Sequence, residues 1–158
     1  MIAILYVCHA NMCRSPALEA FLQKWIDSHK KTSSYYVDSC GLNPGHVLDD
    51  KTIEAAKLKG VYLCHRPRPL ELLDFSVFDY ILAATEEIKD LLISMSLESK
   101  DKIYLATHFS KLYQGLDLPD PYSIGREGFS SLMAMVEEST YTFFKYLDEL
   151  YMKPQQSR

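Results

Sequence analysis

The chain has 158 residues, 47% of them apolar and 24% charged, with a formal net charge of −4. That length can bury a sizeable core and reads as a single domain over residues 1–158, its tail frayed from about Pro154. The acidic balance and lack of a basic tract argue against nucleic-acid binding, and no apolar stretch is long enough to span a membrane. The apolar start is short and has no basic flank, so it reads as a strand and not a signal peptide; the expectation is a cytoplasmic protein whose four cysteines are free thiols.

Ile2-Ala3-Ile4-Leu5-Tyr6-Val7 is a continuous apolar run, the pattern of a buried strand. Cys8-His9-Ala10-Asn11-Met12-Cys13-Arg14-Ser15-Pro16 follows at once. Leu18, Phe21, Leu22, Trp25 and Ile26 then recur at helical spacing, and Trp25 on that stripe reads as core. Cys8 therefore sits where a strand turns into a helix, the place where α/β sheets hold ligands. Free backbone N–H groups and the positive helix end favour an anion there, and together with an arginine they favour thiolate. Arg14 can grip two oxygens of a phosphate-like group. Ser15 can donate a hydrogen bond to the thiolate and cap the helix, and Pro16 suits the first helical position. The rival reading, zinc held by Cys8, Cys13, Cys64 and His65, fits poorly. Those cysteines form no two paired clusters, and Arg14 would repel a cation.

Polar residues from Ser28 to Ser34 end the helix, and Tyr35 to Ser39 reads as a second strand. Cys40 to Val47 is a turn-rich loop that should wall the same sheet edge, with His46 a solvated loop residue. Asp49 and Asp50 read as N-cap residues of a helix through Lys59, ended by Gly60. Cys64-His65-Arg66-Pro67-Arg68-Pro69 is stiff and basic, and Arg66 and Arg68 could attract an anion at long range. Phe78 to Ala84 reads as a third parallel strand, Glu87 to about Met95 as a helix and Lys102 to Leu105 as a fourth strand.

Leu118-Pro119-Asp120-Pro121-Tyr122 is the second chemical feature. Its prolines hold the segment extended and keep Asp120 out of a helix. Alone, Asp-Pro marks a turn; beside a cysteine-to-arginine loop, Asp120 becomes the candidate proton donor to a leaving group. Finally Phe129, Leu132, Met133, Val136, Thr140, Phe143, Leu147 and Leu150 mark a long amphipathic helix packing on the sheet.

The loop from Cys8 to Ser15 resembles that of the low-molecular-weight protein tyrosine phosphatase family, which also carries Asn and a second Cys at the places of Asn11 and Cys13. The Asp120-Pro121-Tyr122 segment matches that family's Asp-Pro-Tyr, and the resemblance runs to about residue 150. It implies a three-layer α/β fold, with a four-stranded parallel sheet flanked by helices and the phosphate loop after the first strand. It implies hydrolysis of phosphomonoesters, protein phosphotyrosine among them, through a cysteinyl-phosphate. Cys8 would be nucleophile, Arg14 the phosphate ligand and Asp120 the general acid. His9, Ala10, Asn11, Met12, Cys13 and Tyr122 would bind substrate. Ser15 and His65 would support the loop, His65 by bonding Asn11, and Cys13 could protect Cys8 through a reversible disulfide. No metal or cofactor is implied. The partner would be a phosphorylated protein or small phosphomonoester as substrate, and the protein itself a monomer.

Several positions depart from the resembled pattern. Ala10 stands for Gly, Thr85 for the Asp of Cys-Met-Asp (leaving Glu86 or Glu87 as substitutes), and Ser123 for a second tyrosine. Gly45 stands near the place where that family often has a ring-stacking aromatic, and no aromatic occurs between Cys40 and Leu48. Two alternatives remain: a thioredoxin-linked arsenate reductase, although Ala83 and Ala84 occupy the region expected for relay cysteines, and a phosphate-binding regulatory module without turnover, which Ala10 suggests.

Overall fold

A computed structural model describes residues 1–125 and 127–151; the frayed tail expected from Pro154 lies outside them. Strand β1 (Ile2–Cys8) is followed by helix α1 (Arg14–Ser28), β2 (Tyr35–Gly41), α2 (Asp50–Lys57) and the one-turn α3 (Asp74–Val77). Then come β3 (Tyr80–Ala83), α4 (Glu86–Met95), β4 (Ile103–Leu105) and α5 (Gly128–Tyr151). The four strands form one parallel sheet in the order β2-β1-β3-β4.

Alternation along the central strand explains why both sheet faces are covered. Ile4 and Tyr6 pack with Leu18, Phe21 and Leu22 of α1 and with Val136, Phe143 and Leu147 of α5. Leu5 and Val7 pack on the opposite face with Phe75, Phe78, Ile88 and Leu92. A strand buried on both faces has no polar positions to spare, hence the unbroken apolar run. The chain leaves β1 toward β2 on one side and returns to β3 on the other. The carboxyl end of β1, where Cys8 stands, is therefore the point at which the strand order reverses and a crevice opens.

Several element boundaries differ from the sequence expectation. β2 runs on to Gly41 because it pairs with β1 as far as Cys8. β3 begins only at Tyr80, since Asp74–Val77 closes a helical turn just before it. α2 ends at Lys57; Gly60 (φ 75°) follows the turn beyond it. Leu150 is 55% exposed, while Phe144, absent from the expected stripe, is fully buried. α5 lies along α1 and reaches the sheet through Phe143, whose ring meets that of Tyr80 edge-on at 5.4 Å. Among the described residues no helix is long and apolar enough to cross a membrane.

Candidate active site

β1 delivers Cys8 to the crevice with its side chain buried. Its Sγ lies 2.8 Å from Ser15 Oγ and receives the backbone N–H of Asn11 at 3.2 Å. Arg14 opens α1, preceded by Cys13, so Pro16 falls at the third helical position and not the first. Ser15 does not cap the helix. Its hydroxyl is taken up by Cys8 and by Asn11 Nδ2, at 2.9 Å.

Asn11 holds the loop in shape. It adopts φ 53°, a left-handed conformation that Asn tolerates better than most residues. Its side chain is fully buried and spent on bonds within the fold, while its backbone N–H faces Cys8. Nδ2 donates to Ser15 Oγ and to Ser39 Oγ at 3.0 Å, and Oδ1 accepts from His65 Nε2 at 2.7 Å and from the Arg68 N–H at 2.9 Å. These bonds tie the loop to β2 and to the segment before α3. Ala10 stays outside the left-handed region, so the methyl group that replaces glycine's hydrogen introduces no backbone strain.

His65 is itself held. Its Nδ1 lies 3.2 Å from Glu19 Oε1 and 3.8 Å from Asp38 Oδ1. Burial raises the Glu19 carboxyl above its ordinary value, against the opposing pull of its hydrogen bond to His65. Arg68, expected as a long-range anion attractor, is instead committed to structure. Its Nε reaches Asp38 at 2.9 Å and its two terminal nitrogens fork onto Asp74 at 3.0 and 3.1 Å. The sequence cannot show this because Asp38 and Asp74 come from separate elements.

Arg14 Nη1 donates to the Leu118 carbonyl at 3.1 Å, joining the loop to the strand-like lead into Asp120. Asp120 caps the short turn Pro121–Ser123, accepting the Tyr122 N–H at 3.1 Å, and its carboxylate is exposed. A crevice of 250 Å³ is lined by Cys8, His9, Ala10, Met12, Cys13, Arg14, Asp49, Asp120, Pro121 and Tyr122. A larger cavity of 670 Å³ lies behind α1 but is lined by neither Cys8, Arg14 nor Asp120. His46 is exposed, as expected of a loop residue.

Asp49 is the site residue that sequence reasoning missed, having been seen only as a helix cap. It does cap α2, accepting the Thr52 N–H at 2.9 Å. It also accepts a hydrogen bond from the Tyr122 hydroxyl across the crevice. Burial opposes ionisation of Asp49, but the bonds from Tyr122 and Thr52 prevail and hold its carboxyl below the ordinary value. In return, hydrogen bonding to Asp49 pushes the Tyr122 hydroxyl up to about 12. Phe129 meets the Tyr122 ring edge-on at 5.0 Å, so this tyrosine is fixed from two sides.

Cys13 also lines the crevice, but its thiol accepts from Thr52 Oγ1 at 2.9 Å and burial raises it to about 12. Gly45 sits against the Met12 side chain. A Cβ there would lie 2.0 Å from Met12 Sδ, so Met12 occupies the room that a side chain at 45 would need. Thr85 caps α4, accepting the Ile88 N–H at 3.2 Å; neither Glu86 nor Glu87 forms an ion pair with Arg14 among the described residues.

The family model for low molecular weight phosphotyrosine protein phosphatase matches residues 3–153. A phosphatase of that name from Schizosaccharomyces pombe is 29% identical over 149 residues, covering 91% of this chain and 96% of its own. The mouse enzyme of that name is 30% identical over 126 residues, covering 76% and 79%. A crystal structure of a protein tyrosine phosphatase from Entamoeba histolytica, with Hepes in its active site, superposes with a TM-score of 0.88 at 31% identity. It covers 94% of this chain and 98% of that one. Sequence motifs, sheet order and the cysteine-bearing loop after β1 thus agree with these likenesses, and the chain belongs to the low molecular weight phosphotyrosine protein phosphatase family of cysteine-based phosphatases.

Proposed function

We propose that Cys8, Arg14 and Asp120 carry the hydrolysis of a phosphotyrosine monoester. The observation that supports this most is the convergence on one crevice of a buried cysteine, held by Ser15 Oγ and the Asn11 N–H, with a loop arginine and an exposed carboxyl. In this reading the Cys8 thiolate attacks phosphorus in line. Arg14 and the loop amides take the charge on the equatorial oxygens. Asp120 in its protonated form gives its proton to the leaving oxygen, then as carboxylate takes one from the water that hydrolyses the cysteinyl-phosphate. Tyr122, braced by Asp49 and Phe129, forms the wall against which an aromatic leaving group rests. The phosphotyrosine assignment draws on the names of the relatives and on this ring. Cys13, beside Cys8 on the crevice wall, is the partner for a protective disulfide.

The arsenate-reductase reading is less favoured, since the exposed Cys64 lines the cavity along α1 and not the crevice. Ala83 and Ala84 are buried strand-end residues, and Cys40 is fully buried in the core on the α3–α4 face of the sheet. The test of the phosphatase is hydrolysis of para-nitrophenyl phosphate from about pH 4.5 to 8 with Cys8→Ser as the blank, a range set by carboxyl and thiolate chemistry. Turnover that disappears in Cys8→Ser is expected. Equal, negligible rates in both proteins, with phosphate still bound, would leave only a binding module.

A further inference from the structure

A second cavity, of 560 Å³, opens on the other side of the phosphate-binding loop. It shares His9 and Arg14 with the catalytic crevice, so the two meet at the loop. Its apolar part is built from Leu42, just after β2, and from Ile88 and Leu91 on α4, with Asn43 and Thr85 as polar neighbours. Leu91 is 45% exposed, an apolar side chain turned to this cavity instead of the core. Glu87 stands at the rim, exposed and without an ion-pair partner among the described residues.

We propose that this cavity is a specificity subsite for the substrate chain, taking an apolar side chain next to the phosphorylated residue, with a basic residue beside it drawn to Glu87. The inference rests on the phosphatase reading. Once a phosphate is seated over Cys8, the polypeptide carrying it must leave the crevice past its rim, where His9 is exposed. On the Asp120 side Tyr122 is already braced by Asp49 and Phe129, and it walls that exit. On the other side lies open apolar surface with a free carboxylate, of a size that holds a large side chain. Among the described residues Arg14 forms no ion pair with that carboxylate, and its Nη1 donates instead to the Leu118 carbonyl. A peptide that places Leu or Phe there removes apolar surface from water on both partners.

The test compares kcat/KM for para-nitrophenyl phosphate with kcat/KM for phosphotyrosine peptides. The peptides carry Leu, Phe, Ala or Asp in turn at each of the two places on either side, with and without a neighbouring Lys. Wild type should favour the apolar residue at one of these places by about tenfold over Asp, the scale of discrimination in a hydrophobic pocket. Leu91→Asp should remove that preference, and Glu87→Lys should reverse the preference for the basic neighbour. Both should leave para-nitrophenyl phosphate turnover as in wild type, because that substrate ends within the crevice. A flat peptide profile in wild type overturns the subsite. So does a loss in Leu91→Asp that is equal for peptides and para-nitrophenyl phosphate. A shift in oligomeric state of Leu91→Asp on gel filtration would make the face an interface between copies and overturn it too. Failure of wild type to turn over para-nitrophenyl phosphate would instead overturn the phosphatase reading beneath it.

Discussion

Gly128, the first residue of α5, lies against the segment that carries Asp120. A Cβ placed there would fall 2.1 Å from the Pro121 carbonyl oxygen and 2.9 Å from its carbon. Gly128→Ala must therefore widen this contact by roughly 1.3 Å or more before ordinary van der Waals separation is restored. α5 is 24 residues long and anchored by buried Leu132, Met133 and Val136, whereas Asp120, Tyr122 and Ser123 are exposed. The acid loop should move and the helix stay. A displacement of that size at a catalytic group costs on the order of 10- to 100-fold, about 1.4–2.7 kcal/mol of transition-state stabilisation. The fold should lose no more than about 2 kcal/mol, as for modest overpacking. Phenol is a poorer leaving group than para-nitrophenol and depends more on the acid. The assay is therefore kcat/KM for both aryl phosphates alongside a thermal melt, with Asp120→Asn as reference. The Gly128→Ala loss should be larger for phenyl phosphate. Wild-type rates on both substrates, or an equal loss on both, would refute the claim that this contact positions Asp120.

Two further outcomes are expected. Asn11→Ala orphans the Arg68 N–H and the His65 Nε2 donor in a buried setting, about 1–3 kcal/mol each, and puts alanine in a left-handed conformation at about 1 kcal/mol more. The total, roughly 3–7 kcal/mol, would appear as a lower urea midpoint, and an unchanged midpoint would sink the account of Asn11 as the loop's anchor. Asp49→Ala should cost about 1 kcal/mol at neutral pH through loss of the α2 cap. Because folding lowers the Asp49 pKa, its contribution is present above the ordinary carboxylate value and is lost as pH falls through the lowered one. Melting curves of variant and wild type should thus converge in acid. In the variant the Tyr122 hydroxyl should also titrate below the value of about 12 that Asp49 imposes. A stability gap that is constant with pH would contradict this.

The sequence by itself determined the central strand, the loop that follows it and the chemistry of that loop. An unbroken apolar run cannot be exposed, and the spacing of Cys8, Arg14 and Ser15 is local, set by a single turn of chain into a helix. Asp120 was legible for a similar reason, since its two flanking prolines restrict the backbone whatever surrounds it. Tertiary structure alone decided the rest. Arg68 looked like a free cation until Asp38 and Asp74, distant in sequence, closed on it. Asp49 looked like a helix cap until Tyr122, 73 residues away, reached across the crevice to it. The room beside Gly45 is filled by Met12, and the opening beside Arg14 arises from three separate elements. Local pattern encodes what one stretch of chain must bury or bend; which charge meets which, and where a wall is left out, depends on surfaces that exist only once the sheet has brought those stretches together.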